Sequence, residues 1–148
     1  METIVVTGGA GFIGSNFVRR AVASARETRL IVLDKLTYAG HLESLDGLVD
    51  GQRVTFVQGD IAERADVRAV VEQARPTAIV NFAAESHVDR SIDGPGEFVR
   101  TNITGTFELL EGARAFLQSA SEPEKAAFRF LHVSTDEVYG SLGPEGAF

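Results

Sequence analysis

The sequence predicts an α/β fold, a doubly wound parallel sheet with helices on both faces. Three observations carry this. Short β-branched runs alternate with stretches whose apolar residues recur at helical spacing. A glycine-rich turn, Thr7-Gly8-Gly9-Ala10-Gly11-Phe12-Ile13-Gly14, joins the first strand to the first helix. The chemically distinctive residues, Asp34, Asp60, Ala83 to His87 and Thr135 to Glu137, all fall at strand carboxyl ends, the edge where such sheets bind ligands.

Taken in order, Thr3-Ile4-Val5-Val6 reads as a buried strand, and Phe17, Val18, Ala21, Val22 and Ala25 set a helix over Ser15 to Arg26. Leu30 to Leu33 is the second strand. The loop Thr37-Tyr38-Ala39-Gly40-His41-Leu42 then leads to a short helix through Leu45 and Leu48. Val54 to Val57 forms the third strand, and Arg64 to Gln73 a helix with Val67, Val70 and Val71 inward. Ala78 to Phe82 is the fourth strand. A long helix follows Pro95, with Phe98, Val99, Thr106, Leu109, Leu110, Ala113 and Leu117 expected to be buried. Ser121 to Lys125 reads as a polar surface loop and Phe128 to Val133 as the fifth strand. No internal repeat, low-complexity tract or linker interrupts the pattern, so residues 1–148 are read as one domain.

Hydrophobic content of 44% and charged content of 24% are ordinary for a soluble globular protein. There is no cysteine, which excludes disulfides and thiolate chemistry. A formal net charge of −7 argues against a nucleic-acid surface. An anionic ligand must therefore be held by local N–H groups and a few cations. No apolar run is long enough to span a bilayer and no signal peptide precedes the first strand, so no membrane and a cytoplasmic location are expected. No metal set is expected.

A strand, a glycine-rich turn and a helix in that order form the context of a dinucleotide-binding site. Gly8 permits the tight turn, Gly11 lets the backbone approach a pyrophosphate, and Gly14 is expected to let the helix pack close to the strand. The N–H groups that open the helix, at Phe12 and Ile13, then face the phosphates. Asp34 ends the second strand, twenty residues after Gly14. An acid there accepts from the adenosine ribose hydroxyls and repels a 2′-phosphate, which selects NAD over NADP. Lys35 beside it works against that choice, since a cation tolerates a phosphate.

Asp60, in Gly59-Asp60-Ile61, can accept from the adenine amine or cap the next helix. Ala83 and Ala84 are small where the fourth strand passes the nicotinamide ribose. Ser86 and His87 adjoin in Glu85-Ser86-His87 and are assigned to substrate contact, because adjacency alone does not make a catalytic pair. Asn102 lies among poor helix formers, Thr101 to Thr106. It either kinks the helix, satisfying freed backbone groups, or positions the active site. Gly105 suggests close approach of this helix to the sheet. Thr135 offers a hydroxyl to a sugar, and Asp136 with Glu137 sets two carboxylates side by side. Their mutual repulsion should let one stay protonated as an acid while the other acts as a base.

The shifted GxxGxxG spacing resembles the extended short-chain dehydrogenase/reductases, a Rossmann family. TGGAGFIG, LDKLTYAG, QGDI, FAAESHVDRSI, TNITGT and HVSTDEVYG together resemble the amino-terminal half of the dTDP-glucose 4,6-dehydratases. The resemblance implies NAD as cofactor and dTDP-glucose or a similar nucleotide sugar as substrate. It adds Lys35, Leu36, Thr37, Gly40, Ile61, Phe82, Ser86 and Thr101 to the cofactor site. It also implies a chemistry: hydride leaves C4 for NAD, Glu137 removes the C5 proton, Asp136 protonates the departing C6 hydroxyl, and hydride returns to C6. Thr135 would bond the C4 oxygen, and the full-length parent would be a homodimer.

One feature departs from the family. Its oxidation base is a Tyr-x-x-x-Lys pair, whereas Tyr38 is followed by Leu42 and Tyr139 by Gly143. The sheet is therefore expected to be incomplete at the carboxyl end, with the pair and the substrate domain beyond Phe148. Three readings stay open at this point: the amino-terminal portion of such a dehydratase, another sugar-nucleotide enzyme such as an epimerase, or a catalytically silent NAD-binding protein.

Overall fold

The computed structural model describes residues 2–24, 27–140, 143 and 145. Five strands, β1 (Thr3–Thr7), β2 (Arg29–Asp34), β3 (Val54–Gln58), β4 (Ala78–Asn81) and β5 (Arg129–His132), form one sheet in the order β3-β2-β1-β4-β5. Every neighbouring pair is parallel, so all five carboxyl ends share one edge. Successive side chains of a strand face opposite ways. Val5, Ile31, Leu33 and Ile79 thus pack on one face with α2 (Arg64–Ala74) and α5 (Thr106–Ser119), through Val67, Val71, Leu109 and Phe116. Val6, Leu30, Val32 and Val54 pack on the other face with Val18 of α1 (Phe12–Ser24) and with Leu45. A helix layer on each side makes the sheet doubly wound, as predicted.

The first helix begins three residues earlier than predicted, at Phe12, and is described to Ser24; Ala25 and Arg26 of the predicted span lie outside the described residues. The short helix is a 3₁₀ turn over Leu42–Leu45 that stops before Leu48. The expected loop Ser121 to Lys125 is instead the start of a helix, α6 (Glu122–Ala127), with Ser121 and Glu124 in a reciprocal capping box.

The long helix after Pro95 is present but composite. Following α3 (Val88–Asp93), it runs as α4 (Pro95–Phe98), a π-helical segment (Val99–Gly105) and α5. Two residues expected to be buried there are not, for Val99 is 52% and Leu110 48% exposed. Val99 opens the π segment, of which Gly105 is the buried residue, and Leu110 sits one position past the buried stripe of Leu109, Ala113 and Phe116.

Candidate functional site

The glycine-rich turn leaves β1 beside the end of β4. Gly8 has φ +67°, and a Cβ there would lie 2.5 Å from the Ala83 backbone nitrogen. Only glycine fits both the conformation and the space. Gly14 departs from its expected role: a Cβ would collide with the Gly8 carbonyl and the Gly9 Cα, so Gly14 seats the helix on the turn rather than on the strand. Gly11 is different again, since a Cβ would touch only Gly8 O at 3.3 Å and Ala39 O at 3.9 Å. Phe12 and Ile13 open α1 with side chains 84% and 61% exposed. Their N–H groups precede the first intrahelical donor, the Ser15 N–H, which bonds the Gly11 carbonyl.

A solvent-open groove of about 570 Å³ runs along this edge. Of the expected cofactor residues, Gly8, Gly11, Asp34, Lys35, Thr37, Gly40, Asp60, Ile61, Phe82, Ala83, Ala84 and Thr101 line it. Phe12, Ile13, Gly14, Leu36 and Ser86 do not. Leu36 instead takes a left-handed conformation, φ +57°, and donates its N–H to Asp34 Oδ1 at 2.9 Å. Asp34 Oδ2 accepts from the Ala10 N–H at 2.9 Å. The carboxylate is thus pinned to the glycine-rich turn, and Gly40, whose Cβ would stand 2.8 Å from Oδ1, leaves it open.

Asp60 does not cap α2, whose N-cap is Glu63. Its Oδ1 accepts from the Ala62 N–H at 2.9 Å, while Oδ2 meets Lys35 Nζ at 3.0 Å and Arg100 Nη1 at 2.5 Å. Partial burial pushes the Asp60 carboxyl up, but the Ala62 N–H and the two cations outweigh it and hold it below the usual range. Gly105 approaches Ile61 in the loop after β3, not the sheet itself.

Asn102 bonds neither its own helix nor a kink. Its amide accepts from the Glu85 N–H and donates to the Glu85 carbonyl, both at 2.8 Å, and so fastens the segment after β4 to the π segment. Ser86 and His87 follow on that segment, both exposed. The His87 ring meets Tyr38 edge-on at 6.4 Å. Thr135 caps a 3₁₀ turn, Asp136–Tyr139, that leaves the sheet beyond β5. Thr135 Oγ1 accepts from the Glu137 N–H and donates to Asp136 Oδ1, each at 3.3 Å. Both acids are exposed. The triplet sits at the same sheet edge as the glycine-rich turn, with β4 between their strands. At about 4.8 Å per strand that is a lateral step of roughly 10 Å.

The model of the GDP-mannose 4,6 dehydratase family matches residues 5–147. The chain belongs to that family. Within it, the chain is 55% identical to dTDP-glucose 4,6-dehydratase of Neisseria gonorrhoeae over 95% of its length, and 53% identical to that of Xanthomonas campestris over all of it. It spans 40% and 42% of those relatives. The fold matches a Streptomyces venezuelae dTDP-glucose 4,6-dehydratase solved with NAD, at TM-score 0.83 and 45% identity, over 99% of this chain and 43% of that one. It also matches a Brucella ovis UDP-glucose 4-epimerase with NAD, at TM-score 0.76 and 28% identity, over 95% and 38%.

Several parts of this family member's site had escaped sequence reasoning. Leu33, Ala39, Gly59 and Glu85 also line the groove. Tyr38 donates its hydroxyl to Glu85 Oε2 at 2.9 Å, joining the loop after β2 to the segment after β4. Buried Asn81 accepts from the Thr7 hydroxyl and from the Ala83 N–H, and its amide meets His132 Nδ1 at 3.0 Å. A lone Asn inside an apolar strand was the available signal. Among the described residues no group of three or more His, Cys, Asp or Glu could hold a metal ion.

Proposed function

We propose that residues 1–148 are the NAD-binding domain of a dTDP-glucose 4,6-dehydratase, presenting Thr135, Asp136 and Glu137 to a nucleotide sugar such as dTDP-glucose. The observation that carries this reading is a shared edge. The glycine-rich turn and the Thr-Asp-Glu triplet emerge at the same sheet edge from the parallel strands β1 and β5, with β4 between them, and the groove lies against the turn. The fit rests on the turn itself: room at Gly11 that a side chain would fill, two N–H groups at the start of α1, and Asp34 in the groove lining.

Bound NAD supplies a reversible store for the hydride exchanged with the sugar. Asp34 receives the adenosine ribose and Asp60 the adenine edge, while Ala83 and Ala84 leave room for the nicotinamide ribose. Ser86, His87 and Asn102 serve the substrate side. Thr135 hydrogen-bonds the C4 oxygen. Glu137 takes the C5 proton that a C4 ketone acidifies, and Asp136 delivers a proton to the C6 hydroxyl as it departs as water. A cytoplasmic location accompanies the reading, because NAD and nucleotide sugars are pooled there. Val99, Ile103, Phe107 and Leu110 form a stripe 48–65% exposed along the composite helix, which supports a homodimer of the full-length protein.

Glu137→Gln in the full-length protein tests the reading. Turnover to the 4-keto-6-deoxy sugar nucleotide should fall by roughly 10²–10⁴, the usual worth of a positioned base. Near-wild-type dehydration would refute it and favour an epimerase-like role.

A further inference from the structure

The rim of the groove carries a chain of alternating charge. Glu97 of α4 lies 3.6 Å from Lys35 Nζ, Lys35 lies 3.0 Å from Asp60, Asp60 lies 2.5 Å from Arg100, and Arg100 lies 2.5 Å from Glu63 at the start of α2. Four different parts of the fold contribute: the end of β2, the loop that runs from β3 into α2, α4, and the π segment. Each cation stands between two carboxylates. Two cations face three acids, and the next residue before Lys35 is a fourth acid, Asp34.

This bears on Lys35, which by sequence alone favours a phosphate at the adenosine ribose. A free ammonium beside Asp34 would offset the repulsion of a 2′-phosphate, which brings about 1.5 to 2 negative charges. The ammonium is not free. Asp60 and Glu97 hold it from two sides, and Arg100 anchors Asp60 in turn. We propose that this charge chain tunes cofactor specificity: by compensating Lys35 twice, it neutralises the cation next to Asp34 that would admit NADP and so reinforces selection of NAD by Asp34. The inference rests on the reading that the groove receives the adenosine end of a nicotinamide dinucleotide.

Glu97 is the member to change, since it is exposed and does not line the groove. Calorimetric titration of the full-length protein with NAD and with NADP reads the effect. Glu97→Gln should tighten NADP about two- to fivefold, the range for loss of one exposed charge neighbour, and leave NAD unchanged. Glu97→Lys should go further the same way. The gain should vanish when Lys35→Met is added, and should shrink in high salt. Unchanged NADP affinity in both Glu97 variants, or a gain that survives Lys35→Met, overturns the inference while leaving the groove reading intact. A wild-type protein that binds neither dinucleotide overturns both.

Discussion

Gly11→Ala separates a glycine that serves the ligand from one that serves the fold. The new methyl would stand 3.3 Å from the Gly8 carbonyl oxygen, just inside the 3.4 Å of ordinary contact, with Ala39 O next at 3.9 Å. Gly11 has no left-handed φ. The added methyl therefore meets little protein, and replacing glycine at the start of a helix costs at most about 1 kcal/mol. The methyl does occupy the groove that Gly11 lines. A pyrophosphate would be held off the helix N–H groups, and losing two charge-assisted hydrogen bonds of about 1.5 kcal/mol each weakens NAD about a hundredfold. Gly8→Ala makes the contrast. Its Cβ would lie 2.5 Å from one backbone nitrogen and 2.7 Å from the Ala83 Cα, at φ +67°. Strain and overpacking together predict a loss of about 2–5 kcal/mol, a large part of a domain's 5–15 kcal/mol. Urea unfolding and calorimetric NAD titration on the same samples measure both quantities. Wild-type NAD affinity in Gly11→Ala would refute the assignment, and equal stability losses in the two variants would refute the separation.

Asn81→Leu should cost about 2–3 kcal/mol in urea unfolding, because the buried Thr7 hydroxyl and the Ala83 N–H lose their acceptor. Asn102→Ala should release the segment carrying Ser86 and His87, raising KM for the nucleotide sugar in the full-length protein more than it lowers stability; equal KM values would refute the clamp. Glu124 is lowered to about 2, first by the Ser121 N–H, then by the Ser121 hydroxyl and Arg75. A depressed carboxyl stabilises above its unfolded value of 4.5 and loses that contribution as pH falls towards 2. Glu124→Gln should flatten the stability profile in that window, and Glu124 should titrate near 2 by NMR.

The fold was legible because its signals are local. β-Branched runs at β1 to β4 and the valines of α2 record which residues must be buried, whatever their partners. The capping box at Ser121 and Glu124, with Pro123 inside the first turn, is equally local, but the segment carries no apolar stripe and so reads as a loop. The π segment was only half visible. Poor helix formers around Asn102 mark an irregularity, yet neither the π winding nor the exposure of Val99 shows in residue type or spacing.

The sequence by itself determined the parallel sheet, the glycine-rich turn and the set of strand ends that carry acids and hydroxyls, since each follows from short-range periodicity and backbone sterics. Only the tertiary structure decided partnership. Asp60 joins Lys35 to Arg100, Tyr38 reaches Glu85, and Asn102 holds the segment after β4, because strand order and the path of one composite helix bring them within bonding distance. Hydrogen bonds and ion pairs act over a few ångströms, and no spacing along the chain encodes separations of that kind.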